Sequence, residues 1–144
     1  MLKYWETSGI YVSEIGVASM LQWADTHSYA GVKCLYTFPT QRSMEDFVQT
    51  RLNPVLNKPY YSSIVNQDMN SIKVKQIRNS FLNFRTSSKP GTVEGLDADY
   101  VSLDEYDRVP AASEQSALNA MKSSSFKIFR RWSTPKLVGL AGAI

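Results

Sequence analysis

One cysteine and one histidine are all that 144 residues contain of either type. A disulfide framework is thereby excluded, and so is a zinc site built from Cys and His ligands. Cys34 lies in the apolar run VKCLYTF and reads as a small buried hydrophobe rather than a reactive thiol. No apolar stretch approaches the ~20 residues needed to span a bilayer. The opening MLKYWETSG also lacks the apolar core of a signal peptide. Charge of one sign is scarce too: 16 Lys and Arg against 13 Asp and Glu leave a net charge of +3. That is too little to mark a nucleic-acid binder by composition, so any DNA contact has to come from local clusters. The phosphate-loop pattern G-x-x-x-x-G-K-[ST] does not occur, and there are no internal repeats. What remains is a length suited to one domain with a real core.

The pattern along the chain alternates strand and helix. Residues 2–5 (LKYW) read as a short strand and Glu6-Thr7-Ser8-Gly9 as a turn. From Ser13 onward Ile15, Ala18, Leu21 and Ala24 recur at helical spacing. Residues 32–38 read as a buried strand stopped by Pro39. Ser43-Met44-Glu45-Asp46 resembles a capping box opening a helix that Pro54 closes. SIKVKQIRNSFLNFRT (71–86) suggests a β-hairpin turning at Arg78-Asn79. ADYVSL reads as a strand ending at Asp104-Glu105, SEQSALNAMKS as a helix, and FKIFRRW as a strand ending at Ser133-Thr134-Pro135. Strands separated by helices favour parallel pairing, because a parallel connection needs a long crossover. In such sheets ligands gather at the carboxyl ends of the strands. Gly9 to Ser13, Pro39-Thr40, Asp104-Glu105 and Ser133-Thr134 are therefore expected near one edge.

Hydrolysis of a nucleoside triphosphate needs a phosphate cradle, Mg²⁺ held partly by an acidic side chain, and a group that orients the attacking water. Side chains alternate along a strand, so Asp104 and Glu105 are aimed differently. One is placed for a metal-bound water and the other for the lytic water. Asp99 and Asp107 read as solvated flanking residues. Ser13 offers a hydroxyl to Mg²⁺, and backbone N–H groups at a helix start attract phosphate. Val12, however, stands where the phosphate-binding Lys belongs.

In this order the segments SGIYVSE, LYTFPTQRSMEDFVQTRLNP, EGLDADYVSLDEYDRV and FRRWSTP resemble the large subunit of the bacteriophage terminase, the ATP-driven motor that packages viral DNA. The resemblance runs from about residue 3 to the end. It implies an α/β fold: a P-loop NTPase-like, mostly parallel sheet flanked by helices, with the hairpin near 71–86 as an insertion. It implies ATP and Mg²⁺ as cofactors. Gly9, Ile10, Tyr11, Val12 and Ser13 would form a Lys-less phosphate loop, Asp104 and Ser13 would handle the metal, and Glu105 would be the catalytic base. Ser133 and Thr134 would couple the nucleotide state to DNA-handling elements, Thr40 and Arg42 would face DNA, and Lys3, upstream, is the candidate substitute for the missing Lys. Implied partners are double-stranded viral DNA, the terminase small subunit, the portal protein and further copies in a ring on the capsid. The setting would be the host cytoplasm, with no membrane. The chain reads as a partial ATPase domain spanning 1–144 with the nuclease domain absent. Two other readings are another helicase-like P-loop ATPase, and a non-catalytic DNA-binding or assembly module. In the latter, Lys122, Lys127, Arg130, Arg131 and Lys136 would hold the DNA backbone.

Overall fold

A computed structural model describes residues 9–133, with side chains from Val12 onward. The expected strand at 2–5, Lys3, Thr134 and Lys136 lie outside the described residues. Helix α1 spans Gly9–Thr26, so it begins four residues before the expected Ser13. Gly9 to Val12 therefore form its first turn rather than a loop. No Pro or capping side chain stands between Gly9 and Ser13, and each added residue gains one hydrogen bond once the helix is nucleated. Its buried face is Val17, Met20, Leu21 and Ala24, while Ala18 is exposed and Ile15 half-buried. The apolar stripe is thus rotated slightly from the expected one.

After a 3₁₀ turn, strand β1 (Lys33–Phe38) enters the sheet and is buried at every position except Lys33. Pro39 ends it as expected. Helix α2 (Gln41–Phe47) is capped by Thr40, not Ser43: the Thr40 side chain accepts from the Ser43 amide at 3.1 Å and Ser43 Oγ answers at the third position. Pro54 does not stop this helical stretch. A π-helical turn at Val48–Leu52 leads into α3 (Asn53–Leu56), where Pro54 falls in the first turn. The π turn accommodates it: the Asn53 amide donates to the Val48 carbonyl five residues back, so the chain passes Pro54 without the usual four-residue register. A short helix α4 (Pro59–Ser62) follows.

The sheet continues with β2 (Val65–Asn70), β3 (Val74–Ile77), β4 (Ser80–Thr86), β5 (Tyr100–Leu103) and β6 (Ile128–Arg131), in the order β2-β3-β4-β1-β5-β6. The pairs β4-β1, β1-β5 and β5-β6 are parallel; β2-β3 and β3-β4 are antiparallel. The hairpin expected at 71–86 is β3-β4, with Ile77 facing Ser80 across the two-residue turn and Arg78 at φ 51°. A positive φ at the first turn residue matches the right-handed twist of the strands it joins. Helix α5 (Ala111–Ala120) makes the crossover from β5 to β6.

Two apolar layers cover the sheet. On one face α1, α2 and the π turn pack on Cys34, Tyr36, Phe38, Leu82 and Phe84. On the other, Ala117, Ala120 and Met121 pack on Leu35, Val101 and Leu103. Asp99 is not a solvated flank: its carboxylate accepts from the Lys33 amide at 2.9 Å and from Ser124 Oγ at 2.5 Å. It thereby ties the start of β5 to β1 and to the loop before β6.

Candidate active site at the carboxyl edge of the sheet

The β5 backbone stops being a strand at Leu103, and the next residue turns inward. Asp104 is 3% exposed. Its Oδ2 accepts from Ser13 Oγ at 2.5 Å and from Tyr36 Oη at 2.7 Å, and its Oδ1 accepts from the Glu105 amide at 2.8 Å. Its own amide donates to the Thr37 carbonyl at 3.1 Å, which fixes the turn against the end of β1. Burial pushes the Asp104 carboxyl above its ordinary range, and the neighbouring Glu105 pushes the same way. The three hydrogen bonds pull it back toward ionisation. Tyr36 is fully buried, and burial together with the adjacent carboxylate drives its phenol well up, so it stays a neutral donor.

Glu105 faces differently because the chain has left the strand and turns at this residue. Its backbone is left-handed, at φ 46° and ψ 56°, and its side chain is partly exposed. It forms an ion pair with Arg108 at 3.6 Å, an exposed contact worth less than ~1 kcal/mol that leaves the carboxylate available.

Strand β6 closes the site from the side. The Trp132 amide donates to the Leu103 carbonyl, and the Tyr106 amide donates to the Trp132 carbonyl, both at 2.9 Å. The Trp132 indole N–H donates to Ser102 Oγ at 2.6 Å. Above both aromatic side chains lies Gly16, one turn along α1 from Ser13. A Cβ there would stand 2.7 Å from Tyr36 Oη and 3.2 Å from the Trp132 ring, so only glycine lets the helix come this close.

Of the residues singled out from sequence, Ser13, Asp104 and Glu105 come together, and exposed Ser133 directly follows Trp132. Gly9 to Val12 are carried there by the helix, whose first turn has amides without intrahelical acceptors. Thr40 spends its hydroxyl on the α2 cap, and Arg42 is exposed in the first turn of that helix. Arg131 is exposed but partnered: Nε is 2.9 Å from Glu114 and the guanidinium lies 4.5 Å from the Phe129 ring centroid. Lys122, Lys127 and Arg130 are exposed.

Tyr36, Gly16 and Trp132 were not foreseen. The available signal was Tyr36 itself, an aromatic with a polar tip inside an apolar strand, which needs a partner when buried.

The donor set suits Mg²⁺. Asp104 and Ser13 offer hard oxygen, and no group of three or more His, Cys, Asp or Glu placed to hold a metal occurs among the described residues. An ion held by one carboxylate and one hydroxyl keeps its remaining positions for water and phosphate, which is how Mg²⁺ is bound in nucleotide sites.

A mostly parallel sheet between helical layers, with a buried Asp, a Glu beside it and a helix N-terminus at the carboxyl edge, defines a P-loop NTPase-like ATPase domain. The model of the family "phage terminase large subunit gpA, ATPase domain" matches residues 13–135, and the chain belongs to that family. Membership connects it with phage DNA packaging and with nucleotide use. Comparison with curated proteins gave no match. No helix among the described residues is long and apolar enough to cross a membrane.

Proposed function

We propose that the chain hydrolyses ATP with Mg²⁺ and that this turnover drives translocation of double-stranded viral DNA into a capsid. The observation that carries the reading is the 2.5 Å hydrogen bond from Ser13 to Asp104, which joins the start of α1 to the end of β5 across 91 residues of sequence. With its proton committed to Asp104, the Ser13 oxygen turns its lone pairs outward. When bound, Mg²⁺ supplies charge neutralisation to the β- and γ-phosphates.

Each remaining role falls to a group of the chain. The first-turn amides of Gly9, Ile10, Tyr11 and Val12, together with the positive end of the α1 dipole, attract phosphate where no Lys is available. Asp104 and Ser13 hold the metal. Glu105 orients the attacking water and accepts its proton. Ser133 and Thr134, continuing from a strand bonded to the Glu105 turn through Trp132, pass the nucleotide state on. The small subunit, the portal and further copies of the chain are the partners this role requires, in the host cytoplasm.

The test is Glu105→Gln in the intact protein. ATP turnover should fall by at least a hundredfold while nucleotide affinity stays within about threefold, given the ~10²–10⁴ typical of a general base. Undiminished hydrolysis in that variant overturns the assignment.

A further inference from the structure

We propose that Tyr36 is a positioning residue that fixes the Asp104 carboxylate for metal capture, acting together with the gap left by Gly16. The proposal rests on the reading of Asp104 and Ser13 as the metal-handling pair.

Asp104 Oδ2 receives two hydroxyl protons, and the two donors differ in what else they must do. Ser13 is half-buried near the start of α1, and its oxygen is the one that would also meet the metal. Tyr36 has no such second task. Its side chain is fully buried, its strand is paired on both sides, and its ring lies 5.0 Å from Phe38 and 6.4 Å from Phe84. A rigid aromatic on a central strand is the stiffest donor this carboxylate has. With Oδ1 held by the Glu105 amide and Oδ2 by Tyr36, the carboxylate cannot rotate when Ser13 shifts toward a ligand. Gly16 supports the same reading independently, because any side chain there would push into the space Tyr36 Oη occupies. Tyr36 acts through Asp104 and touches no reacting atom.

Tyr36→Phe keeps the ring and removes only the hydroxyl. Binding of a fluorescent ATP analogue is followed as Mg²⁺ is titrated into the wild type and the variant. A lost hydrogen bond to a charged group predicts that the half-saturating Mg²⁺ concentration rises about tenfold. Affinity for the Mg²⁺-free analogue should stay within about twofold. A purely structural role would lower the bound amplitude through unfolding without moving the Mg²⁺ midpoint, so an unchanged midpoint overturns the proposal. Gly16→Ala should displace the midpoint in the same direction.

A second measurement needs no nucleotide. In protein labelled at the tyrosine ζ carbon, the Tyr36 hydroxyl proton should exchange slowly and resonate downfield, and Asp104→Asn should move it upfield. If the wild type binds no Mg²⁺-nucleotide, the hydrolase reading fails and the metal-capture role falls with it, even where this resonance shows the hydrogen bond to Asp104 intact. A hydroxyl signal indifferent to Asp104→Asn overturns the positioning role itself.

Discussion

Two charged side chains are buried among the described residues, Asp104 and Lys75, and they are treated differently. Asp104, 3% exposed at the end of the parallel half, receives three hydrogen bonds from an alcohol, a phenol and an amide. Lys75, 1% exposed in the antiparallel part of the sheet, donates from Nζ to Asn70 Oδ1 at 2.6 Å. Burial pushes both toward neutrality, the carboxyl upward and the ammonium downward. Burial of a charge therefore does not by itself mark a site. Asp104 differs because its side-chain donors come from two distant elements, α1 and β1, and meet it where a helix begins. Lys75 lies in a hairpin whose outer strand, β2, is exposed at every position but Val65, and its partner comes from the neighbouring strand.

The contrast can be broken by substitution. Asp104→Ala is expected to have the largest effect: Mg²⁺-dependent nucleotide binding should disappear, and the orphaned Tyr36 hydroxyl and Glu105 amide should cost about 3 kcal/mol in urea unfolding. Lys75→Met should instead be neutral or stabilise by about 1 kcal/mol, because a poorly compensated buried charge is replaced by an apolar chain of similar length. A loss above 2 kcal/mol there would give Lys75 a role like that of Asp104.

The pH dependence sharpens the same comparison. Because the folded Asp104 carboxyl titrates above its ordinary value of 3.8, the native state holds more protons than the unfolded one just above that pH. Stability from this residue is full below 3.8 and falls as pH rises through the raised value. Lys75 works in the opposite sense. Its folded pKa lies below the ordinary 10.5, so in that window the unfolded state holds the extra proton and stability rises with pH. Metal-free thermal melts across pH should show both slopes, with Asp104→Asn removing the acid-side fall and Lys75→Met the alkaline-side rise. The smallest effect is expected at Arg78→Ala, which cuts the exposed 2.7 Å ion pair to Asp25 and should barely move the midpoint of chemical denaturation.

The parallel core was legible because its strands are apolar runs closed by breakers: Pro39 after β1, Asp104 after β5, and a helical stretch between β5 and β6. β2 was not, since VNQDMN is an exposed edge with neither alternation nor an apolar run. The Thr40 cap was missed because both Thr40 and Ser43 carry capping hydroxyls, and sequence alone does not say which one opens the helix. At the site, Asp104, Glu105 and Ser13 could be named from a strand end and a helix start. Gly16, Tyr36 and Trp132 act through close approach between elements far apart in sequence, and local patterns do not encode such approach.

The left-handed backbone at Glu105 sets folding against chemistry at one position. A side chain such as Glu pays roughly 1 kcal/mol or more to sit at φ 46°, whereas Asn tolerates that region. For the fold alone, Glu105→Asn should be an improvement, a variant that melts later and hydrolyses nothing. By keeping Glu there, the chain gives up stability to present a carboxylate at the point where the strand's direction runs out.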